Sequence, residues 1–170
     1  RAVGCSENDI IEMDAASNRG IDDIRALRES VQSLPFDSDK KMYIIDEVHM
    51  LTKDAFNALL KTLEEPPAHV MFVLATTELH KVLPTVISRC QSFVFNSPTT
   101  AVLKEMIQNI VKSEGYTIDA GSLETIAMLG NGSFRDTQGV LQKLMSYSKD
   151  TAITRDETEL ITGAPPLEII

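Results

Sequence analysis

Four short groups of polar residues in this chain have the types and spacing to do chemistry. The first is Ile44-Ile45-Asp46-Glu47, two carboxylates directly after an apolar run. In α/β folds ligands collect at the carboxyl ends of strands. An Asp there can orient Mg²⁺, and an adjacent Glu can polarise a water for attack on a γ-phosphate. The same text also suits an acidic strand-to-loop turn with no chemical role. The second group, Ala75-Thr76-Thr77, ends another apolar run. Its hydroxyls suit sensing a phosphate or holding the attacking water, or simply a solvated strand end. The third is Ser88-Arg89-Cys90, after Leu83-Pro84-Thr85-Val86-Ile87. An Arg on an exposed loop can neutralise transition-state charge in a neighbouring subunit, or pair with a nearby carboxylate. The fourth is Gly132-Ser133-Phe134-Arg135-Asp136. Arg135 falls in the first turn of a helix, a place already favourable to anions, and a salt bridge to Asp136 is the alternative.

The elements that must position these groups follow from hydrophobic spacing. Ile10-Ile11-Glu12-Met13, Lys41–Asp46 and Val70–Ala75 read as strands, with Ser92-Phe93-Val94-Phe95 as a short fourth. Ile21, Ile24, Leu27 and Val31 share one helix face, with Gly20 at its start. Phe56, Leu59, Leu60 and Leu63 share another, with Thr52 as N-cap and Pro66-Pro67 as the stop. Strands and helices alternating in this way predict an α/β unit, a parallel sheet with flanking helices. After Ser97-Pro98-Thr99 the pattern becomes helical throughout. Val102, Leu103, Met106, Ile107, Ile110 and Val111 suit one helix, Leu123, Ile126, Ala127 and Leu129 a second, and Phe134, Val140, Leu141, Leu144 and Met145 a third. Thr154 and Glu157 have capping-box spacing for a fourth. The expected organisation is 1–98 as the α/β part, 99–163 as a small all-helical domain, and 164–170 as the start of a linker, from Gly163-Ala164-Pro165-Pro166.

Composition narrows the function classes. The chain has 170 residues, 43% hydrophobic and 24% charged, enough for a hydrophobic core. No apolar run is long enough for a membrane span, and Arg1–Asp9 has no signal-peptide core, so a cytoplasmic protein is expected. A net charge of −9 argues against a surface that grips nucleic acid all over, while leaving room for a local basic stripe. Cys5 and Cys90 form neither a disulfide framework nor a zinc spacing.

Taken in order, Asp46-Glu47, Thr77, Ser88-Arg89-Cys90 and Arg135 resemble the Walker B, sensor 1, Ser-Arg-Cys and sensor 2 motifs of AAA+ clamp-loader ATPases. Glu12-Met13-Asp14-Ala15-Ala16-Ser17, Ile45-Asp46-Glu47-Val48-His49-Met50-Leu51, the run from Phe56 to Pro67 and Leu74-Ala75-Thr76-Thr77 are similar to the gamma/tau subunits of bacterial DNA polymerase III. The resemblance covers essentially the whole chain.

It implies a partial AAA+ (P-loop NTPase-like) core followed by a helical lid, with ATP and Mg²⁺ as cofactors. Asp46 would hold Mg²⁺, Glu47 would be the catalytic base and Thr77 sensor 1. Arg89 would act in trans on a neighbour's ATP, and Arg135 in cis from the lid. The implied activity is ATP-driven loading of a sliding clamp onto primed DNA during replication, within a hetero-pentamer of clamp-loader subunits. Arg25 and Lys61 match positions that track DNA. Asn18 and Gly20 stand where some relatives carry basic residues, a departure from the pattern in that loop; Lys61 also suits a solvated lysine beside Glu64 and Glu65.

The family's Gly-rich Walker A loop and its four-cysteine zinc module are expected upstream of Arg1, with Cys5 past the last zinc ligand. The collar domain, and the regions contacting polymerase and helicase, are expected beyond Ile170. The 170 residues contain no Gly-x-x-x-x-Gly-Lys-Ser/Thr. Weak or no ATP binding by the chain alone is therefore expected, and a monomer. Two rivals remain: a non-hydrolysing stator subunit of the same loader, and a related AAA+ DNA helicase motor. The stator usually lacks the acidic pair present here.

Overall fold

The computed structural model describes residues 4–148 and 150–165. The chain divides into two compact units between Phe93 and Val94.

In the first unit, β1 (Ile10–Asp14), β2 (Lys41–Asp46) and β3 (Val70–Leu74) form a parallel sheet in the order β1-β2-β3. Two helices make the crossovers, α1 (Ile21–Val31) and α2 (Lys53–Glu64). Parallel strands require such crossovers, and the right-handed rule sends both to one face. Each helix starts where local hydrogen bonding allows it. The Gly20 N–H donates to Asp23 Oδ2 at 3.0 Å, and Asp22 and Asp23 lie in the positive first turn. The Ala55 N–H donates to Thr52 Oγ1 at 3.3 Å. Glu65 leaves the helical region just before Pro66-Pro67, as proline demands of its predecessor.

The register explains which residues are buried. Ile11, Tyr43 and Phe72 stand side by side, as do Met13, Ile45 and Leu74. These residues pack with Ile24, Val31 and Leu59 into one core, with the Tyr43 and Phe72 rings stacked at 5.5 Å. Removing a side chain such as Leu59 from this layer costs about 2–5 kcal/mol. The opposite face carries Met71 and Val73, 36% and 40% exposed, so within this unit one face is covered and the other is more open.

Ser92–Phe95 forms no strand. Its run of β-favouring residues suits a strand, but a strand exists only where a neighbour pairs its N–H and C=O groups. No described residue does so, and Phe93, Val94 and Phe95 are 72%, 80% and 94% exposed. A short helix, α3 (Pro84–Ile87), precedes it, with proline at the first helical position.

The second unit holds α4 (Thr100–Ser113), α5 (Ala120–Leu129), α6 (Phe134–Tyr147) and α7 (Arg155–Thr162). The structure adds a two-residue parallel ladder, β4 (Thr117–Ile118) with β5 (Ala152–Ile153). Leu103, Ile107, Val111, Ile126, Leu141, Leu144 and Ile153 form its core. Thr99, Asp119, Ser133 and Thr154 accept from the N–H three residues on and so cap the four helices. Asp119 also accepts the Arg155 N–H at 2.7 Å, tying the start of α7 to the start of α5. Burial alone would raise its carboxyl, but the Ser122 and Arg155 N–H bonds hold it below the ordinary range. Gly163 ends α7 in the left-handed conformation, φ 69°. Pro166–Ile170, the rest of the expected linker, lies outside the described residues.

Candidate functional site

The parallel register brings the carboxyl ends of β2 and β3 together. The Ala75 N–H donates to the Ile45 carbonyl and the Val48 N–H to the Ala75 carbonyl, both at 2.9 Å. Asp46-Glu47 and Thr76-Thr77 therefore leave the sheet side by side, where α/β folds collect ligands.

Glu47 then departs from ordinary backbone. Its φ is 47° and ψ 44°, the left-handed region, uncommon for a residue with a side chain. A single 3-10 turn, Val48–Met50, follows, closed by the Met50 N–H on the Glu47 carbonyl at 2.8 Å. Such backbone costs on the order of 1–3 kcal/mol and persists only where its surroundings impose it. Here the turn carries the Glu47 carboxylate to β3. Thr77 donates to Glu47 Oε2 twice, from Oγ1 at 3.0 Å and from N–H at 3.3 Å. Oε1 makes no hydrogen bond among the described residues. The Asp46 carboxylate is exposed, and Oδ1 accepts the Glu47 N–H at 2.9 Å.

His49 joins the cluster from the same turn, with its side chain only 6% exposed. Nδ1 lies 2.8 Å from Thr76 Oγ1 and 3.3 Å from Glu47 Oε2, and Nε2 lies 3.2 Å from Glu78 Oε2. Thr76 Oγ1 also accepts the Glu78 N–H at 3.0 Å. The Lys81 ammonium, 2.6 Å from Glu78 Oε2, holds the Glu78 carboxyl below its ordinary range. Sequence reasoning had Asp46, Glu47 and Thr77, with Thr76 in the same group, but missed His49 and Glu78 as members. The available signal was position: each lies within two residues of a group already singled out.

Among the described residues no group of three or more His, Cys, Asp or Glu side chains could hold a metal ion. One exposed carboxylate, Asp46, does fit Mg²⁺, which is commonly held by one or two carboxylates together with substrate phosphates. Cys5 is buried with its thiol on the Lys40 carbonyl at 3.4 Å.

Within the first unit, Arg89, Arg25 and Lys61 make no hydrogen bond or ion pair with this cluster. Arg89 lies just past α3. Its Nη2 pairs with Glu64 Oε1 and its Nη1 donates to the Thr85 carbonyl, both at 2.7 Å, so its guanidinium is held within its own unit. Arg135 is the second residue of α6 in the other unit and is exposed; within that unit no described carboxylate pairs with it. Arg25 and Lys61 line one shallow cleft between α1 and α2, together with Arg28, Glu29 and Glu65. Arg25 pairs with Asp22 at 2.9 Å, on the surface.

Comparison with known proteins gives the family. A family model described as "DNA polymerase III, delta subunit" matches residues 4–99. The tau subunit of DNA polymerase III from Bacillus subtilis is 50% identical over 159 residues, 94% of this chain and 28% of that protein. The gamma/tau subunit from Mycoplasma genitalium is 44% identical over 151 residues, 89% of this chain and 25% of that protein. The chain thus spans about a quarter of the length of these relatives. Among solved structures, the Thermotoga maritima RuvB Holliday junction branch migration motor has a TM-score of 0.74 at 20% identity, over 91% of this chain and 52% of that one. A DNA polymerase III gamma subunit-related protein from the same organism has a TM-score of 0.56 at 28% identity, over 84% and 47%. The fold is thus the AAA+ type, and the chain belongs to this family of DNA polymerase III subunits, where it groups with the gamma/tau members.

Proposed function

We propose that this chain carries the hydrolysis and lid part of an ATP-driven motor that loads a sliding clamp onto primed DNA. The observation that carries the reading is the Glu47 carboxylate: Oε2 is anchored by Thr77, and Oε1 has no hydrogen bond among the described residues at the ends of β2 and β3. An anchored carboxylate with one bare oxygen can accept a proton from a water as that water attacks a phosphoryl group. Glu47 is then the base, and Thr77 is the sensor that holds it and meets the phosphate. Asp46 would hold Mg²⁺, which when bound supplies charge neutralisation on the phosphates. Arg89 serves a neighbour's nucleotide, for which it must leave Glu64. Arg135 serves the phosphates of its own subunit from the lid. In this reading the first unit belongs to the ATPase core and the second is the lid. Arg25 and Lys61 face the DNA backbone. The partners are the other subunits of a hetero-pentamer, the clamp and primed DNA, with polymerase and helicase reached through other regions of the protein.

The stator reading has one observation in its favour, the delta-subunit description of the matching family model. The intact acidic pair and the 50% identity to a tau subunit favour the motor. The test is loading of a labelled clamp onto primed DNA by the full-length protein with its partner subunits. ATP-dependent loading with turnover at this subunit is the expected result. Loading with no turnover at this subunit would establish the stator, and translocation on DNA without a clamp would establish the helicase motor.

A further inference from the structure

Resting on the reading of Glu47 as the base, we propose that His49 is the positioning residue that keeps the Glu47 carboxylate at the end of β3. Three observations lead there. Glu47 stands in left-handed backbone, so its direction is imposed by its surroundings and not by its own preference. A glutamate side chain on a surface turn has several rotamers open to it, and selecting one costs conformational entropy that contacts must offset. The imidazole two residues on is buried and faces three side chains of the cluster. Nδ1 faces Thr76 Oγ1 at 2.8 Å and Glu47 Oε2 at 3.3 Å, and Nε2 faces Glu78 Oε2 at 3.2 Å.

His49 therefore acts as a spacer with polar ends. Its far nitrogen is fixed by Glu78, which Lys81 and the Thr76 hydroxyl hold in turn. Its near nitrogen presents a polar edge to the oxygen that Thr77 also holds. Glu47 Oε2 is thus engaged by Thr77 just past β3 and from its own turn by His49, which leaves Oε1 as the oxygen with no hydrogen bond among the described residues. His49 touches no reacting atom in this arrangement. It works through Glu47.

Two substitutions test this in the full-length protein assembled with its partner subunits. His49→Phe keeps the ring and removes both polar edges. His49→Asn restores a polar group on the Nδ1 side. The expected result for His49→Phe is a fall in kcat for ATP hydrolysis of roughly 10²-fold, the scale of a misplaced catalytic group, with nucleotide Kd within about twofold. His49→Asn should recover most of the loss. In the 170-residue chain, the Thr77 amide resonance should move in His49→Phe while those of Ile45 and Leu59 in the core stay in place. If the Phe variant disturbs those core amides, the Asn variant carries the test, with the same Thr77 readout. An unchanged kcat, a parallel loss of kcat and nucleotide affinity, or an unmoved Thr77 amide would overturn the proposal. Retained turnover in Glu47→Gln would remove the base reading alone. The Thr77 amide would still decide whether His49 holds Glu47.

Discussion

The end of β2–β3 and the cleft between α1 and α2 are two polar regions of the same unit, built on opposite plans. At the strand ends Glu47, Thr76, Thr77, Glu78 and His49 hold one another in a continuous network, around a left-handed residue. In the cleft Arg25 has one surface ion pair, and Lys61 has none among the described residues. Such exposed pairs contribute about 0–1 kcal/mol. The difference matches the two tasks proposed for them. Chemistry at one atom needs a carboxylate fixed to a fraction of an ångström. Attraction of a polyanion needs only charge on a face, and loses little if each cation is mobile.

The predictions test that contrast. The largest concerns Arg89, which is tied down like the strand-end network but on the wrong partner for a trans role. Arg89→Ala should lower ATPase in the assembled complex by about 10³-fold and leave the isolated subunit unaffected. Equal losses in both would place its action within one subunit. Next, Thr77→Val removes the hydroxyl on Glu47 Oε2 while keeping volume and the N–H. Turnover should drop roughly tenfold or more, as for a hydrogen bond to a charged acceptor. Unchanged turnover would mean that Glu47 needs no anchor from β3. On the open side, Arg25→Ala with Lys61→Ala should weaken binding of primed DNA evenly across sequences. It should also reduce the salt dependence by about one ion per cation. An unaltered salt slope would take this cleft out of the DNA path.

The smallest effect on turnover belongs to Asp9, which is networked but remote from the strand ends. It accepts the Phe36 N–H, the Asp37 N–H at 2.9 Å and the Ser38 hydroxyl at 2.7 Å, organising that loop. The Phe36 N–H is the main cause that holds its carboxyl below the ordinary range. A depressed folded value stabilises the fold above the unfolded value of about 3.9, and the gain is lost as pH falls through the folded value. Asp9→Asn should therefore lower Tm at neutral pH, flatten the acid limb below about pH 4, and leave kcat unchanged. A change in kcat at fixed stability would show that the catalytic region reaches beyond the strand ends.

Much of this was legible in the residues. The apolar runs give β1, β2 and β3, and the caps Thr52 and Thr154 sit where the sequence puts them, because spacing and capping are local. Asp46, Glu47 and Thr77 follow from the ends of those runs. Three things were not legible. Ser92–Phe95 has strand spacing but no described partner, and pairing is a non-local fact. The Arg89–Glu64 pair joins residues that only the packing of α3 near the end of α2 brings together. The role of His49 depends on the left-handed turn at Glu47, which no side-chain pattern in Glu47-Val48-His49 announces.

The central claim is that Glu47 is a base whose anchoring leaves one oxygen for water. The most direct measurement is Glu47→Gln in the full-length protein, with nucleotide affinity and single-turnover ATP hydrolysis measured together in the assembled complex. The account predicts ATP affinity within about twofold of the parent and hydrolysis slowed by roughly 10²–10⁴-fold. Hydrolysis at the parent rate with ATP bound would contradict it.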